Sequence, residues 1–371
     1  MLSSRLPKNL ELNAVSRALD AKRRVGTPVA DLTETNPTGA GFTYPKSLLE
    51  PLANPRALEY DPQPLGLWAA RAAVAADFRR RGIAISADRV ALTSSTSEAY
   101  ALLFKLLCDA GDAVLVPHPS YPLFEHLTQL ECVHAIPYAL EYHGAWRMNI
   151  DSVRRAATAR VRAILVVSPN NPTGSFLHRD DLIELSELAA TNGWAIIGDE
   201  VFADYRLDPA PLATRVLACA DVLTFSLGGL SKSAGLPQLK LGWIGFGGPS
   251  AKVDQALAAY ELVADTYLSV STPVQAAAAE LLTGGAAIRA QILARVRRNL
   301  ESLRSLASNH PSLDVLRVEG GWSAVMQVPQ LRSEESLVLD LLEKDNVLVH
   351  PGYFFDFPRE AFIVVSLLVE P

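Results

Sequence analysis

The stretch Arg162-Ala163-Ile164-Leu165-Val166-Val167-Ser168, continued without a break by Pro169-Asn170-Asn171-Pro172-Thr173-Gly174, decides how the rest of the chain is read. Its first half is apolar throughout rather than alternating, so it reads as a strand buried on both faces. The Pro/Asn/Gly run that follows is a turn at the carboxyl end of that strand, where open α/β sheets bind their ligands. Six further apolar runs lie on either side, at 90–93, 113–116, 132–136, 194–198, 221–226 and 242–246. Helical patterns separate most of them, at 67–81, 97–110, 150–159 and 179–192, the last stopping at Gly193. This alternation predicts an α/β fold with a mostly parallel seven-stranded sheet and helices on both faces. After about residue 250 the pattern changes. Long helices are expected over 251–267 and from Pro273 to about His310, then strands near 324–328, 347–349 and 362–367 around a helix at 334–344, which together make a smaller α+β domain.

The 371 residues are enough for two domains. With 49% hydrophobic and 20% charged residues, long disorder is excluded. Lys+Arg 34 against Asp+Glu 40 leaves a net charge of −6, so no basic field gathers a phosphate backbone and no nucleic-acid partner is expected. Cys108, Cys132 and Cys219 are odd in number and widely spaced, which predicts no disulfide framework and no metal site, and fits a reducing cytoplasm. The N-terminal segment has scattered charges without an apolar core, and no apolar run is long enough to span a bilayer. Neither a standard secretory signal nor a membrane partner is expected.

The common phosphate motifs fail. Gly245-Phe246-Gly247-Gly248-Pro249-Ser250 lacks the third glycine of a dinucleotide fingerprint, and Ser231 stands where a Walker loop requires Gly before Lys232. Three other features draw together instead. Asn171 lies in the turn after the first strand, Asp199-Glu200 ends the next, and Lys232 follows the strand after that. Taken singly they read as a plain turn, a solvated acid pair or helix cap, and a surface lysine. All three at strand carboxyl ends point to one ligand site.

In this order, with 28 residues from Asn171 to Asp199 and 33 more to Lys232, the chain resembles the class I/II aminotransferases of fold type I, the aspartate aminotransferase-like superfamily, which use pyridoxal 5′-phosphate. The resemblance runs through nearly the whole chain: DLTETNPTGAGF (31–42), YDPQPLG (60–66), TSSTSEA (93–99), HPSYP (118–122), GGLSKSAGLPQLKLGW (228–243) and VLVHPGYFF (347–355). It implies a large cofactor domain at 46–265 and a small domain built from 1–45 and 266–371. It also implies a cytoplasmic homodimer with shared active sites, moving an amino group between an amino acid or amine and a 2-oxo acid by ping-pong chemistry. Another reaction of the same cofactor (lyase, decarboxylase, racemase or oxidase) and a non-catalytic binding protein on this scaffold are the alternatives.

The resemblance assigns roles residue by residue. Lys232 would form the Schiff base with the cofactor and carry the proton to and from the substrate Cα. Asp199 would face the pyridine nitrogen and favour its protonated form. Asn171 would donate to the phenolic oxygen and lie near the substrate carboxylate, and Tyr121 would stack on the ring. Backbone N–H groups of Ser95 and Thr96 would cradle the phosphate at a helix N-terminus, with Lys240 as its cation and Tyr60 reaching it from the neighbouring subunit.

Three positions depart from the pattern. Phe202 stands where these enzymes usually carry a Tyr that bonds the phenolic oxygen, and Tyr205 could replace it only if the backbone bends. Gly229 lacks the hydroxyl often found there, leaving Ser226 or Ser231. Val364, two residues before Ser366, occupies the place of the Arg that clamps the substrate carboxylate, with Arg359 and His350 the nearest cations in sequence.

Overall fold

Burial on both faces joins the apolar runs into one sheet. The computed structural model describes residues 2–208 and 213–370. Its strands are β1 (Ala30–Asp31), β2 (Val90–Thr93), β3 (Ala113–His118), β4 (His134–Tyr142), β5 (Trp146–Met148), β6 (Val161–Val167), β7 (Ala195–Asp199), β8 (Thr224–Gly229), β9 (Gly242–Gly247), β10 (Asp314–Val315), β11 (Ser323–Gln327), β12 (Val347–Leu348), β13 (His350–Pro351) and β14 (Phe362–Ser366). The large sheet runs in the order β2-β9-β8-β7-β6-β3-β4-β5. From β8 to β4 every pairing is parallel, whereas β9 is antiparallel to both of its neighbours.

Successive residues of each central strand serve opposite faces. Ala163, Leu165 and Val167 pack with Ala195 and Ile197 under the helices Thr96–Leu107 and Ser250–Asp265. Ile164, Val166 and Ile196 pack on the other side against the helix Arg179–Asn192 through Leu182, Leu185 and Ala189. Neither face meets water, so these strands carry no polar alternation. The helix Arg179–Asn192 ends where Gly193 takes a left-handed φ of 72° and returns its N–H to the Ala189 carbonyl.

All seven expected strands are present, and an eighth extends the sheet. The run read at 132–136 begins two residues later as β4 and continues to Tyr142, because beyond the helical cover it forms an antiparallel hairpin with β5, Leu140 opposite Met148 and Tyr142 opposite Trp146. A half-exposed hairpin carries polar and apolar residues together, so its sequence does not look like the central strands. The short helix Leu123–Leu130 was likewise not expected.

The second sheet, β10-β11-β14-β13, is antiparallel. A separate pair joins β1 in parallel to β12, so the N-terminal segment is tied to the C-terminal part of the chain. The expected helix near 334–344 is observed at Glu334–Asp345, and the stretch from Pro273 is two helices, Thr272–Ala276 and Ala278–Ser308.

Candidate active site

Four neighbouring strands, β3, β6, β7 and β8, deliver their carboxyl ends to one region. After β3 comes the loop with Tyr121, after β6 the Asn171 turn, at the end of β7 Asp199, and after β8 the one-turn helix Leu230–Ser233 with Lys232. Asp199 is half-buried: its Oδ2 accepts from the Tyr100 hydroxyl at 3.0 Å and its Oδ1 from the Val201 N–H at 3.2 Å. Burial pushes its carboxyl up to about 6, against the pull of these two donors and of Lys232. The Lys232 amine is pushed down to about 8 by burial, against the pull of Asp199. Its Nζ lies 4.7 Å from the Trp322 ring centroid and 5.4 Å from that of Phe202.

Glu200, beside Asp199, is not part of a solvated acid pair. It is 1% exposed, and its carboxylate accepts from the Ser226 hydroxyl at 2.8 Å and the Val216 N–H at 3.1 Å. Ser226 is therefore engaged away from any phosphate.

The Asn171 turn is held from two directions. Asn170, buried, donates to the Pro119 carbonyl at 3.0 Å and to the Thr173 hydroxyl at 2.9 Å, and accepts from the Ser120 hydroxyl at 2.7 Å, so it ties the turn to the loop that carries Tyr121. Ser323, at the start of β11, donates to Asn171 Oδ1 at 3.3 Å. Gly320 and Gly321 bond the Gly174 and Tyr205 carbonyls through their N–H groups. A Cβ at Gly320 would come within 2.7 Å of the Tyr205 oxygen, so only glycine lets the chain pass there and bring Trp322 against Lys232. The Tyr121 ring is half-exposed and meets Phe124 edge-on at 6.3 Å.

Ser95 caps the helix Thr96–Leu107, its hydroxyl accepting the Glu98 N–H at 3.1 Å, while the Glu98 carboxylate accepts the Ser94 N–H at 2.6 Å. That leaves the N–H groups of Ser95 and of the first-turn residues Thr96 and Ser97 for an anion. A cradle is built there from glycine: a Cβ at Gly242 would meet the Thr93 hydroxyl at 2.9 Å and the Ser95 carbonyl carbon at 3.0 Å. Lys240, two residues before Gly242, is exposed with a left-handed φ of 51°.

The departures find physical form. Phe202 packs edge-on against Trp322 at 5.2 Å. Tyr205 does not take over the role of a hydroxyl at 202; its O–H donates to the Lys232 backbone carbonyl at 2.5 Å, below the lysine. Val364 is 2% exposed in an apolar cluster with Val325, Phe355 and Phe362, and opposes His350 across the β13–β14 pair. Burial depresses the His350 imidazole pKa, so that ring offers little positive charge. Arg359 covers the Phe362 ring at 5.0 Å. Tyr60 stands apart, 80% exposed, in a crevice with Gly66, Leu268 and Ser269. Sequence reading missed Tyr100, Asn170 and Trp322. The glycine pair before Trp322 was a usable signal, whereas nothing local marks Tyr100.

The family profile "Aminotransferase class I and II" matches residues 46–367. The chain belongs to that family. This aminotransferase is 27% identical over 360 residues to the glutamate-pyruvate aminotransferase AlaA of Escherichia coli K12, covering 94% of this chain and 89% of the relative. It is 27% identical over 343 residues to the alanine aminotransferase of Mycobacterium tuberculosis H37Rv, covering 90% and 80%. Among solved structures, the alanine aminotransferase of Pyrococcus furiosus superposes with a TM-score of 0.90 at 25% identity, covering 100% of this chain and 95% of that one. The aspartate aminotransferase of Thermotoga maritima shares the fold with a TM-score of 0.83. The chain is thus a fold-type I aminotransferase, an enzyme that moves an amino group between an amino acid and a 2-oxo acid.

Proposed function

We propose that this aminotransferase depends on pyridoxal 5′-phosphate and works as a cytoplasmic homodimer, with Lys232 as the residue that binds the cofactor and carries the proton. One observation carries the reading: a lysine pushed down to about 8 and a carboxyl pushed up to about 6, both by burial, at the ends of adjacent strands. When bound, the cofactor supplies an aldehyde and a conjugated ring that draws electrons from the carbon bearing the transferred nitrogen.

The chain's own residues do the rest. Lys232 Nζ is unprotonated more often at neutral pH than an ordinary lysine amine, which makes it a nucleophile and then a base for the substrate Cα proton. Asp199, ionised above about pH 6, would favour a proton on the ring nitrogen. Asn171 would bind the phenolic oxygen and Tyr121 would cover the ring, while Phe202 and Trp322 line the apolar side of Nζ. The N–H groups at Ser95 and Thr96 would take the phosphate, assisted by Lys240 and by Tyr60 of the second subunit. In this reading residues 46–265 form the cofactor-carrying unit, and 1–45 with 266–371 form the smaller one.

Glutamate and alanine as donors, with 2-oxoglutarate and pyruvate as acceptors, are the first pairs to test, given the names of the relatives. Amines without a carboxylate at the reacting carbon belong in the same screen, because Val364 offers no clamp. The reading expects the protein with added cofactor to transfer nitrogen to a 2-oxo acid for at least one pair. Release of carbon dioxide or ammonia, or racemisation of the donor without transfer, would overturn it.

A further inference from the structure

We propose that Tyr100 is a positioning residue for this site, whose hydroxyl keeps the Asp199 carboxylate ionised. The inference rests on the reading of Asp199 as the partner of a protonated ring nitrogen. Tyr100 lies on the first turns of the helix that begins at Thr96, one layer beneath the strand ends, with 3% of its surface exposed. Its ring is fixed by Phe104 at 6.0 Å and edge-on by Phe124 at 5.4 Å, and Phe124 in turn meets Tyr121. The hydroxyl emerges from this aromatic packing at Asp199 Oδ2, 3.0 Å away.

A phenylalanine would fill the same space, so packing does not explain the oxygen. Electrostatics does. Asp199 is half-buried beside Lys232, burial favours its neutral form, and a neutral carboxyl does not stabilise a cationic ring nitrogen. Four titratable groups face it: Tyr100 from the helix, Lys232 from beyond β8, Glu200 next in the chain, and Tyr121 from the loop after β3. Glu200 opposes ionisation of Asp199. Lys232 favours it only while protonated, and its amine is to be consumed in binding the cofactor. Tyr121 is half-exposed and makes no hydrogen bond to the carboxylate. That leaves the Tyr100 O–H and the Val201 N–H as the two donors that persist through the reaction. Tyr100 also keeps its own proton, because burial and the neighbouring Asp199 hold its pKa well above the ordinary phenol range, with Tyr138 adding to the effect. It remains a donor at every pH at which the protein works.

The test compares the wild type with Tyr100→Phe and, as a packing control, Tyr138→Phe, whose lost hydroxyl donates to the Leu165 carbonyl and not to Asp199. Equilibrium affinity for pyridoxal 5′-phosphate is measured by fluorescence from pH 5 to 9, with no substrate present. In the wild type, affinity falls as the pH drops through the ionisation of Asp199. In Tyr100→Phe the fall is expected at higher pH, with affinity about tenfold lower near pH 6.5 and converging on the wild type in alkali, the size of effect a charge-assisted hydrogen bond carries. Groups that titrate on the ligand are common to all three proteins, so the displacement isolates Asp199. Tyr138→Phe should keep the wild-type profile even if it melts earlier. A Tyr100→Phe profile that coincides with the wild type, or is lowered equally at every pH, overturns the proposal. Absence of any binding by the wild type overturns instead the cofactor reading beneath it.

Discussion

Burial opposes the charged forms of both Asp199 and Lys232, and that opposition destabilises the fold without the cofactor. Asp199 ionises at 3.8 in its ordinary state and near 6 when folded, so folding takes up a proton between those values. Stability therefore falls as the pH rises from about 4 to 6, and the penalty is fully present above that. Lys232 ionises at 10.5 ordinarily and near 8 when folded; folding releases a proton, and stability rises between about 8 and 10.5. Asp199→Asn should accordingly raise the stability of the cofactor-free protein at pH 7 by on the order of 2 kcal/mol, with the gain vanishing near pH 4. Chemical denaturation at the two pH values measures this. Val364 gives a second expectation at this scale. A guanidinium there would enter an apolar cluster without a partner, so Val364→Arg should lower stability by about 3 kcal/mol or more, read as a fall in the denaturation midpoint.

Among the elements, the strand ends matter less than the turns that join them. Asn170 links three oxygens from two loops, and in Asn170→Ala the Pro119 carbonyl and the Ser120 and Thr173 hydroxyls lose that partner. Stability should drop by about 2–4 kcal/mol, and cofactor affinity should fall with it because Tyr121 and Asn171 lose their common anchor; thermal melts with and without cofactor separate the two effects. Legibility follows the same division. Central strands such as β6 and β7 were readable because cover on both faces forces an apolar run, and the helix Arg179–Asn192 because Gly193 marks its stop. The hairpin of β4 and β5 was not, since an edge that is half in water leaves no clean period. Lys232, Asp199 and Asn171 were found through their placement at strand ends. Tyr100 was not, because its contact with Asp199 spans 99 residues and depends on how the helix is set against β7.

For the molecule as a whole, the proposed homodimer would cover exposed apolar residues. Tyr60 is 80% exposed, Leu58 91%, Leu262 74% and Tyr267 50%, and the crevice that Tyr60 shares with Leu268 and Ser269 brings the segments around residues 60 and 268 side by side. In the proposed homodimer the crevice at Tyr60 would lie against the second copy. Sedimentation should give twice the chain mass, and Tyr60→Asp should shift the equilibrium toward the monomer and weaken cofactor binding. Among the described residues no helix is long and apolar enough to cross a membrane. The proposed chemistry depends on Lys232 capturing an aldehyde. The most direct measurement is the absorbance spectrum of the purified protein after addition of pyridoxal 5′-phosphate, compared with that of Lys232→Ala. A near-visible band distinct from the free cofactor, removed by amino donors and missing in Lys232→Ala, is the predicted result; an identical band in both proteins, or none in either, would contradict it.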